Sequence, residues 1–184
     1  MSRNTIRDSQ IIKRKILNVK YLLVDCDGVL SENKFYYNSD GYEVRNFAAR
    51  DLTAVSRLRE LTGIDTGLIN DRNSFHLELL AKQLNAKEVY FGKPNKKEIL
   101  LDISNQLQLD PEQIAYIGDD LDDLEAMQAV GFSVCPLDAV YEVRALAVYV
   151  CNSCGGDGVL REVAELFIAI YSESKNPKTL TTAK

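Results

Sequence analysis

One stretch of sequence decides the fold: Tyr21-Leu22-Leu23-Val24-Asp25-Cys26-Asp27-Gly28. A continuous apolar run, like its first four residues, is typical of a strand buried on both faces of a parallel sheet. In an extended segment residues i and i+2 point the same way. Asp25 and Asp27 would therefore face one crevice beyond the strand end, where open α/β sheets bind ligands. Two like charges held that close need a shared cation or proton, so the pair indicates a metal site, an acid–base role, or both.

Composition narrows the class of protein. The 184 residues suit one domain with an ordinary core, and 46% hydrophobic with 27% charged residues are globular values. A net charge of −5 without a Lys/Arg run argues against nucleic acid as the main partner. No apolar stretch approaches the roughly 20 residues of a membrane span, and no hydrophobic signal core follows Met1. We therefore expect a soluble, cytoplasmic protein.

The four cysteines do not make a disulfide framework in a chain of this length. Cys151 and Cys154 have the spacing of half a zinc site or of a redox pair. A zinc site needs two more ligands, and the only histidine, His76, lies far away in the sequence. We expect reduced cysteines.

Apolar runs alternate with amphipathic stretches, which is typical of βαβ units and a parallel sheet. The predicted strands are Tyr21–Asp25, Ile64–Ile69, Glu88–Phe91, Ile114–Gly118, Phe132–Cys135 and Ala147–Cys151. The predicted helices are 52–61, Ser74–Leu84, Lys97–Leu107, Leu121–Val130 and Gly158–Tyr171. We expect a three-layer, Rossmann-like α/β domain over residues 1–171, with helices on both faces of the sheet, and a flexible polar tail at 172–184.

Residues 34–47 interrupt this alternation. Two aromatic-rich segments flank an Asp40-Gly41 turn, which predicts a β-hairpin after the first strand. A lone hairpin is marginally stable in water, so its aromatic side chains should pack on something, and a neighbouring subunit is a good candidate.

Polar residues follow four of the predicted strands. In chain order they are Asp25 and Asp27, then Asn70-Asp71-Arg72, then Lys96, then Gly118-Asp119-Asp120-Leu121-Asp122-Asp123. All would converge on one crevice of a parallel sheet. Carboxylates are hard oxygen ligands suited to Mg²⁺, and a fixed lysine can bind phosphate as a point charge. This combination suits phosphoryl transfer, in which catalysis is mostly positioning and charge neutralisation.

These four groups, in order and spacing, resemble the four motifs of the haloacid dehalogenase superfamily. The similarity covers roughly residues 19–170. Within the superfamily the chain resembles the branch of 3-deoxy-manno-octulosonate-8-phosphate phosphatases and acylneuraminate phosphatases, enzymes that include members of lipopolysaccharide biosynthesis. The segments that carry this finer resemblance are the hairpin, Phe47-Ala48-Ala49-Arg50-Asp51, and residues 155–162 (Gly-Gly-Asp-Gly-Val-Leu-Arg-Glu).

The resemblance implies a role for each matched residue. Asp25 would be the nucleophile that forms a phospho-aspartyl intermediate, Asp27 the general acid and base, and Lys96 the residue that restrains Asp25 and the phosphoryl group. Mg²⁺ would be held by Asp25, the backbone carbonyl of Asp27, and Asp119, with Asp120 or Asp123 in support. The implied phosphate and substrate contacts are Gly28, Arg50, Asp51, Asn70, Arg72 and Arg161.

The connections leave no room for a cap domain, which needs at least roughly 50 residues. The resemblance implies another way to cover the site: a homotetramer whose 34–47 hairpins pair centrally and whose C-terminal segments approach a neighbour's site. Residues 155–161 and the tail would then help to complete a neighbouring pocket.

Three departures bear on the substrate. Asn70-Asp71 stands where relatives have Thr-Gly; an Asn amide can still donate to a phosphoryl oxygen, but a carboxylate at Asp71 repels one unless it turns away or pairs with Arg72. Ala48 and Leu52 replace Asn and Gly, and Leu80 replaces an Arg that would suit a sugar carboxylate.

Two classes of function remain open. The first is a Mg²⁺-dependent phosphatase of a small sugar-acid phosphate, either an octulosonate 8-phosphate or a nonulosonate or acylneuraminate 9-phosphate. The second is a weakly active or non-catalytic module with a role in assembly. A receiver domain is disfavoured, because its phospho-acceptor would follow the third strand, where this chain has Lys96.

Overall fold

A computed structural model describes residues 6–93 and 95–175. Strand β1 (Tyr21–Asp25) lies inside a six-stranded sheet, and all five of its residues are buried. It pairs in parallel on one side with β4 (Asp65–Asn70), and on the other with β6 (Ile114–Ile117). The sheet order is β5-β4-β1-β6-β7-β8, with every neighbouring pair parallel. The apolar run that opened the sequence analysis is therefore the interior strand.

The remaining elements follow the alternating pattern of the sequence. The other strands are β2 (Tyr36–Tyr37), β3 (Glu43–Val44), β5 (Val89–Phe91), β7 (Phe132–Cys135) and β8 (Tyr149–Val150). The helices are α1 (Ile6–Asn18), α2 (Ala54–Thr62), α3 (Phe75–Leu84), α4 (Lys96–Leu107), α5 (Leu124–Ala129), α6 (Tyr141–Leu146) and α7 (Val159–Lys175). Short 3₁₀ turns cover Asp51–Thr53, Pro111–Gln113 and Leu121–Asp123.

Two cores, one on each face of the sheet, make the predicted three layers. Because successive side chains of a strand point to opposite faces, Leu22 and Val24 pack in one core, with residues of α1, α2, α3 and α7. Tyr21 and Leu23 pack in the other, with residues of α4, α5 and α6. The predicted α/β class and all six predicted strands are confirmed, with bounds that shift by up to two residues.

The predicted hairpin is present, although its paired part is short. Tyr36 pairs with Val44 and Tyr37 with Glu43 in an antiparallel ladder. Among the described residues, the elements between β1 and β4 are this hairpin, the 3₁₀ turn Asp51–Thr53 and α2, and those between β4 and α4 are α3 and β5, so neither connection holds a cap domain. The same residues include no helix long and apolar enough to cross a bilayer.

Helices account for the differences from the sequence prediction. The sequence pattern did not reveal α1 or α6. Helix α7 ends at Lys175, not Tyr171, so the prediction of a tail from residue 172 starts too early. An ion pair between Lys13 Nζ of α1 and Glu173 Oε2 (2.9 Å) ties this last turn to the domain. Residues 176–184 of the predicted tail lie outside the described residues.

Candidate active site

A cavity of ≈ 310 Å³ opens at the carboxyl ends of β1, β4 and β6. Its lining is mainly acidic, with two cations and one aromatic ring: Asp25, Asp27, Asn33, Phe35, Asp71, Arg72, Lys96, Asp119, Asp120 and Asp122. The parallel sheet thus brings together the polar groups that follow separate strands in the sequence. Lys96 is the first residue of α4 and reaches the cavity from there.

The buried ammonium of Lys96 is surrounded by three carboxylates. Its Nζ lies 3.0 Å from Asp25 Oδ1, 2.8 Å from Asp122 Oδ2 and 2.7 Å from Asp123 Oδ1. Burial acts to lower the pKa of Lys96, but Asp25 and Asp123 outweigh it, and the net shift of its pKa is upward. Lys96 is therefore a permanent positive charge beside Asp25.

Asp123 has no free lone pair for a substrate, because four donors occupy its two oxygens. Oδ1 accepts hydrogen bonds from Lys96 Nζ (2.7 Å) and the Tyr116 hydroxyl (2.6 Å). Oδ2 accepts from the backbone N–H groups of Asp119 (2.8 Å) and Asp120 (3.1 Å). Asp123 is fully buried, so it shapes the loop after β6 and holds Lys96 in place.

Asp25 and Asp119 are the buried carboxylates that could hold a cation. One oxygen each from Asp25, Asp119 and Asp123 lie within 4.8 Å of one another. Asp25 Oδ1 has no well-directed hydrogen bond from any described residue, in spite of its ion pair with Lys96. Burial, followed by the charge of Asp123, raises the pKa of Asp25 well above its usual range, and the pKa of Asp119 to about 8. The negative charge of these carboxylates exceeds the single positive charge of Lys96. Their hard oxygen atoms suit a divalent cation.

Gly28 and Asp120 flank this group in different ways. Gly28 has φ +84°, and a Cβ added to it would collide with the Asp119 carboxylate. Glycine is therefore required for that close approach. Asp120 lines the cavity, and its Oδ1 accepts a hydrogen bond from Leu121 N (2.7 Å), so it stabilises the start of the following turn.

Asp27 is held from two sides. Asn70 Nδ2 donates to Asp27 Oδ2 (3.1 Å), and Asn70 Oδ1 accepts from Asp27 N (3.2 Å). The other carboxylate oxygen, Oδ1, forms an ion pair with Arg45. Asn70 was predicted to bind phosphate, but it is 1% exposed and does not line the cavity. Its second amide proton goes to the carbonyl oxygen of Arg72 (3.0 Å), so both protons are in use.

Asp71 and Arg72 sit at the exposed rim of the cavity. Arg72 Nε lies 4.0 Å from Asp71 Oδ2, which is the pairing that would relieve repulsion between Asp71 and a phosphate. The Arg72 guanidinium lies 5.2 Å from the centre of the Phe35 ring, within cation–π range.

Arg50, Asp51 and Arg161 form a separate group and do not line this chain's cavity. Buried Asp51 Oδ1 accepts from Arg161 N (2.7 Å), which caps the start of α7. Burial raises the pKa of Asp51 to about 6. The side chain of Arg161 is engaged by Glu165 Oε1 (2.8 Å) and Thr53 Oγ1 (3.0 Å), and that of Arg50 lies 3.6 Å from Asp157. The prediction that these residues contact substrate therefore has no support within one chain.

Sequence reasoning placed Asp122 in the group that converges on the crevice, but it missed the contributions of Phe35, Arg45 and Tyr116. Phe35 and Arg45 lie in the hairpin segment, and their signal was available, because that segment interrupts the connection directly after Asp27. Tyr116 gives no signal, since an apolar position of a buried strand does not reveal where a hydroxyl points.

Comparison with known proteins agrees with this geometry. A family model of haloacid dehalogenase-like hydrolases matches residues 50–131. The 3-deoxy-D-manno-octulosonate 8-phosphate phosphatase of Escherichia coli K12 is 34% identical over 154 residues, 84% of this chain and 81% of that enzyme. The crystal structure of the Moraxella catarrhalis phosphatase of the same name, in complex with magnesium, phosphate and a KDO molecule, superposes with a TM-score of 0.84 at 30% identity, covering 91% of this chain and 95% of that one. The cobalt-bound Haemophilus influenzae enzyme gives a TM-score of 0.80 at 30% identity, over 90% and 96% of the two chains.

Among the described residues, the chain has a Rossmann-like sheet without a cap domain, and an acidic cavity that contains Lys96. Together with the family match, these features identify a phosphoric monoester hydrolase of the haloacid dehalogenase class. Within that class, the chain belongs to the family of 3-deoxy-D-manno-octulosonate 8-phosphate phosphatases.

Replacing Lys96 by methionine tests how much the buried ammonium stabilises the fold. We expect Lys96→Met to lower the free energy of unfolding by about 3–5 kcal/mol without divalent cations, because it leaves buried carboxylates uncompensated. Lys97→Met is the matched control: its exposed ammonium lies 3.5 Å from Glu125, so the change should be within ~0.5 kcal/mol. Urea unfolding measures both, and equal stabilities would contradict the account.

The buried carboxylates Asp25, Asp119 and Asp123 also predict that the stability of the fold depends on pH. Because the pKa of Asp119 is raised to about 8, the metal-free fold favours the protonated form. Its stability therefore falls as the pH rises from about 4, where an aspartate of the unfolded chain ionises, to about 8. Asp119→Asn removes this penalty. Near pH 8 we expect the Tm of the metal-free variant to exceed that of the wild type by roughly 2 °C or more. In a domain of this size, ~1 kcal/mol of stability corresponds to ~2–4 °C in Tm.

The Tm advantage of Asp119→Asn should shrink towards pH 5, because there the folded forms of both proteins carry a neutral side chain at position 119. A divalent cation should raise the Tm of the wild type more than that of the variant. Thermal scans in a chelator and in added cation measure these differences, and an advantage that is constant with pH would count against the assignment.

Proposed function

We propose that this protein is a Mg²⁺-dependent phosphatase that hydrolyses a small sugar-acid phosphate, such as 3-deoxy-D-manno-octulosonate 8-phosphate, through a phospho-aspartyl intermediate. The observation that carries the proposal is the position of Asp25: it is buried at a strand end and lies 3.0 Å from a fixed ammonium. It faces a cavity whose other buried carboxylate, Asp119, has its pKa raised to about 8 by burial and by the charge of Asp123. The Moraxella catarrhalis relative, whose structure contains magnesium, phosphate and KDO, supports the same cation and substrate class.

In the first half-reaction, a carboxylate oxygen of Asp25 attacks phosphorus, and the bond between phosphorus and the sugar oxygen breaks. Asp27 gives its proton to the departing sugar oxygen. In the second half-reaction Asp27 takes a proton from water, the water oxygen bonds to phosphorus, and the bond from phosphorus to Asp25 breaks. Inorganic phosphate and the dephosphorylated sugar are the products, and both aspartates regain their starting states.

Asp25, the backbone carbonyl of Asp27, and Asp119 would hold Mg²⁺, with Asp120 beside them. When bound, the cation supplies positive charge that keeps Asp25 ionised and offsets the negative charge of the phosphoryl oxygens. Lys96 Nζ, 3.0 Å from Asp25 Oδ1, holds the nucleophile in place. Backbone at Gly28 and the guanidinium of Arg72 are the remaining groups that we propose for the phosphoryl and sugar ends of the substrate.

Phosphate release from a panel of sugar phosphates, including octulosonate 8-phosphate and nonulosonate 9-phosphates, tests this function. We expect turnover that stops when a chelator removes Mg²⁺. Asp25→Asn, which keeps the shape of the side chain but loses its nucleophilic charge, should lower kcat by at least about 10³-fold. Binding of Mg²⁺ without hydrolysis of any ester would favour a non-catalytic module, and full activity of Asp25→Asn would exclude Asp25 as the nucleophile.

We further propose that the 34–47 hairpin assembles the chain into a homotetramer. The hairpin exposes Tyr37 (66%) and Tyr42 (71%), a costly arrangement for a two-stranded element that is marginal alone. In such an assembly, the loop 155–158 and Arg161 would approach a neighbour's cavity, which offers a role for residues that lie outside their own.

Charge introduced on the hairpin should dissociate the assembly. We expect Tyr37→Asp and Tyr42→Asp each to shift the mass measured by light scattering from tetramer towards smaller species, because a carboxylate is buried unpaired on association. Tyr141→Asp is the matched control, since Tyr141 is equally exposed (74%) but lies at the start of α6. A monomeric wild type, or equal masses for all variants, would contradict this proposal.

A further inference from the structure

Asn70 makes three hydrogen bonds, and two of them hold the same residue. Its Oδ1 accepts from the backbone N–H of Asp27 (3.2 Å), and its Nδ2 donates to the Asp27 carboxylate (3.1 Å). The third bond, to the carbonyl oxygen of Arg72 (3.0 Å), fixes the amide group itself. Asn70 is 1% exposed at the end of β4, one strand away from Asp27. The Asn70 side chain therefore fixes the position of both the backbone and the carboxylate of Asp27.

Arg45 holds Asp27 from the side of the hairpin. Its guanidinium forms an ion pair with Asp27 Oδ1, an oxygen that also accepts a 3.4 Å hydrogen bond from Ser31 Oγ. The Arg45 side chain is only 7% exposed, pairs with Glu43 and lies 5.7 Å from the centre of the Phe35 ring. Hairpin residues thus hold the guanidinium of Arg45 in place where it contacts Asp27.

We propose that Asn70 and Arg45 are positioning residues for Asp27, and that Asn70 acts by orienting this group instead of binding the phosphoryl oxygen. The inference rests on the proposed function, since it needs Asp27 as the proton-transfer group. Both oxygens of Asp27 are restrained, by one side chain from the sheet and one from the hairpin. Proton transfer requires such control, because a shift of 1 Å in a catalytic group can cost about 10²-fold in rate.

The identity of residue 70 matters for this role. An amide offers one acceptor and two donors, and Asn70 uses all three functions on Asp27 and Arg72. A threonine hydroxyl has a single proton, so it cannot donate to both the Asp27 carboxylate and the Arg72 carbonyl. A threonine could, however, donate to a phosphoryl oxygen. Asn70→Thr therefore separates the two roles.

Steady-state kinetics of Asn70→Thr, Asn70→Asp and Arg45→Gln test the proposal, with Arg45→Lys as the variant that keeps the charge. Using the sugar phosphate that the wild type hydrolyses best, we expect kcat to fall about 10–100-fold in the first three variants. KM, and the inhibition constant of inorganic phosphate, should stay within about threefold of the wild type, a margin below 1 kcal/mol. Arg45→Lys should recover part of the lost kcat.

Substrates with different leaving groups give a second readout that a purely structural defect would not produce. p-Nitrophenolate needs little protonation to depart, so the first turnover of p-nitrophenyl phosphate should be slowed less in these variants than the first turnover of the sugar phosphate. Stopped-flow measurement of the first turnover distinguishes the two. Melting temperatures identify any variant that fails to fold, and Arg45→Gln, on the hairpin, keeps the test available if Asn70→Asp does not fold.

Each outcome decides between the roles. A raised KM and weaker inhibition by phosphate, with kcat unchanged, would make Asn70 a phosphate ligand. Full activity of Asn70→Thr would make the amide dispensable. Either result would overturn the proposal. An equal loss for both leaving groups would also overturn it. If the wild type hydrolyses no phosphate ester, the proposed function fails and this inference fails with it, whereas the other contradictory outcomes leave the proposed function intact.

Discussion

The ammonium of Lys96, buried against Asp25, Asp122 and Asp123, is the interaction on which the rest of the site depends. It joins the end of β1 to the loop after β6 through the first turn of α4, so three separate segments meet at one charge. A buried ion group of this kind is stable only if its members are paired and hydrogen-bonded. Asp123 meets that condition with four donors, whereas Asp25 Oδ1 has the ion pair with Lys96 but no well-directed hydrogen bond from the described residues.

The excess of buried negative charge over the single charge of Lys96 explains why the site is suited to bind a cation. One ammonium cannot neutralise the buried carboxylates, and burial, together with the charge of Asp123, raises the pKa values of Asp25 and Asp119. A divalent cation would offset this negative charge and leave Asp25 ionised, as the proposed role of nucleophile requires. The architecture of the sheet makes the arrangement possible, because the carboxyl ends of β1 and β6 are adjacent and a glycine at position 28 lets Asp119 approach.

The sequence was sufficient to predict the sheet, because interior parallel strands are continuous apolar runs and the polar residues that follow them are brought together by topology alone. The orientation of side chains was not predictable from it. Asn70 could donate to a phosphate or to Asp27. Only the register of β4 beside β1 shows that Asp27 engages its amide oxygen and one amide proton, while the other proton goes to the Arg72 carbonyl. Arg45 was missed for a similar reason, since its contact depends on how the hairpin folds back over the site. Arg50, Asp51 and Arg161 were linked to substrate by resemblance, whereas their hydrogen bonds are used at the start of α7.

Mass spectrometry of the enzyme quenched in acid during turnover tests the nucleophile most directly. Asp27→Asn slows hydrolysis of the intermediate, and p-nitrophenyl phosphate, whose leaving group needs little protonation, lets the intermediate still form. We expect a phosphoryl group on the peptide that contains Asp25, present when Mg²⁺ is added and absent when a chelator replaces it. A phosphoryl group on any other residue, or phosphate release without a phosphorylated enzyme, would exclude Asp25 as the nucleophile.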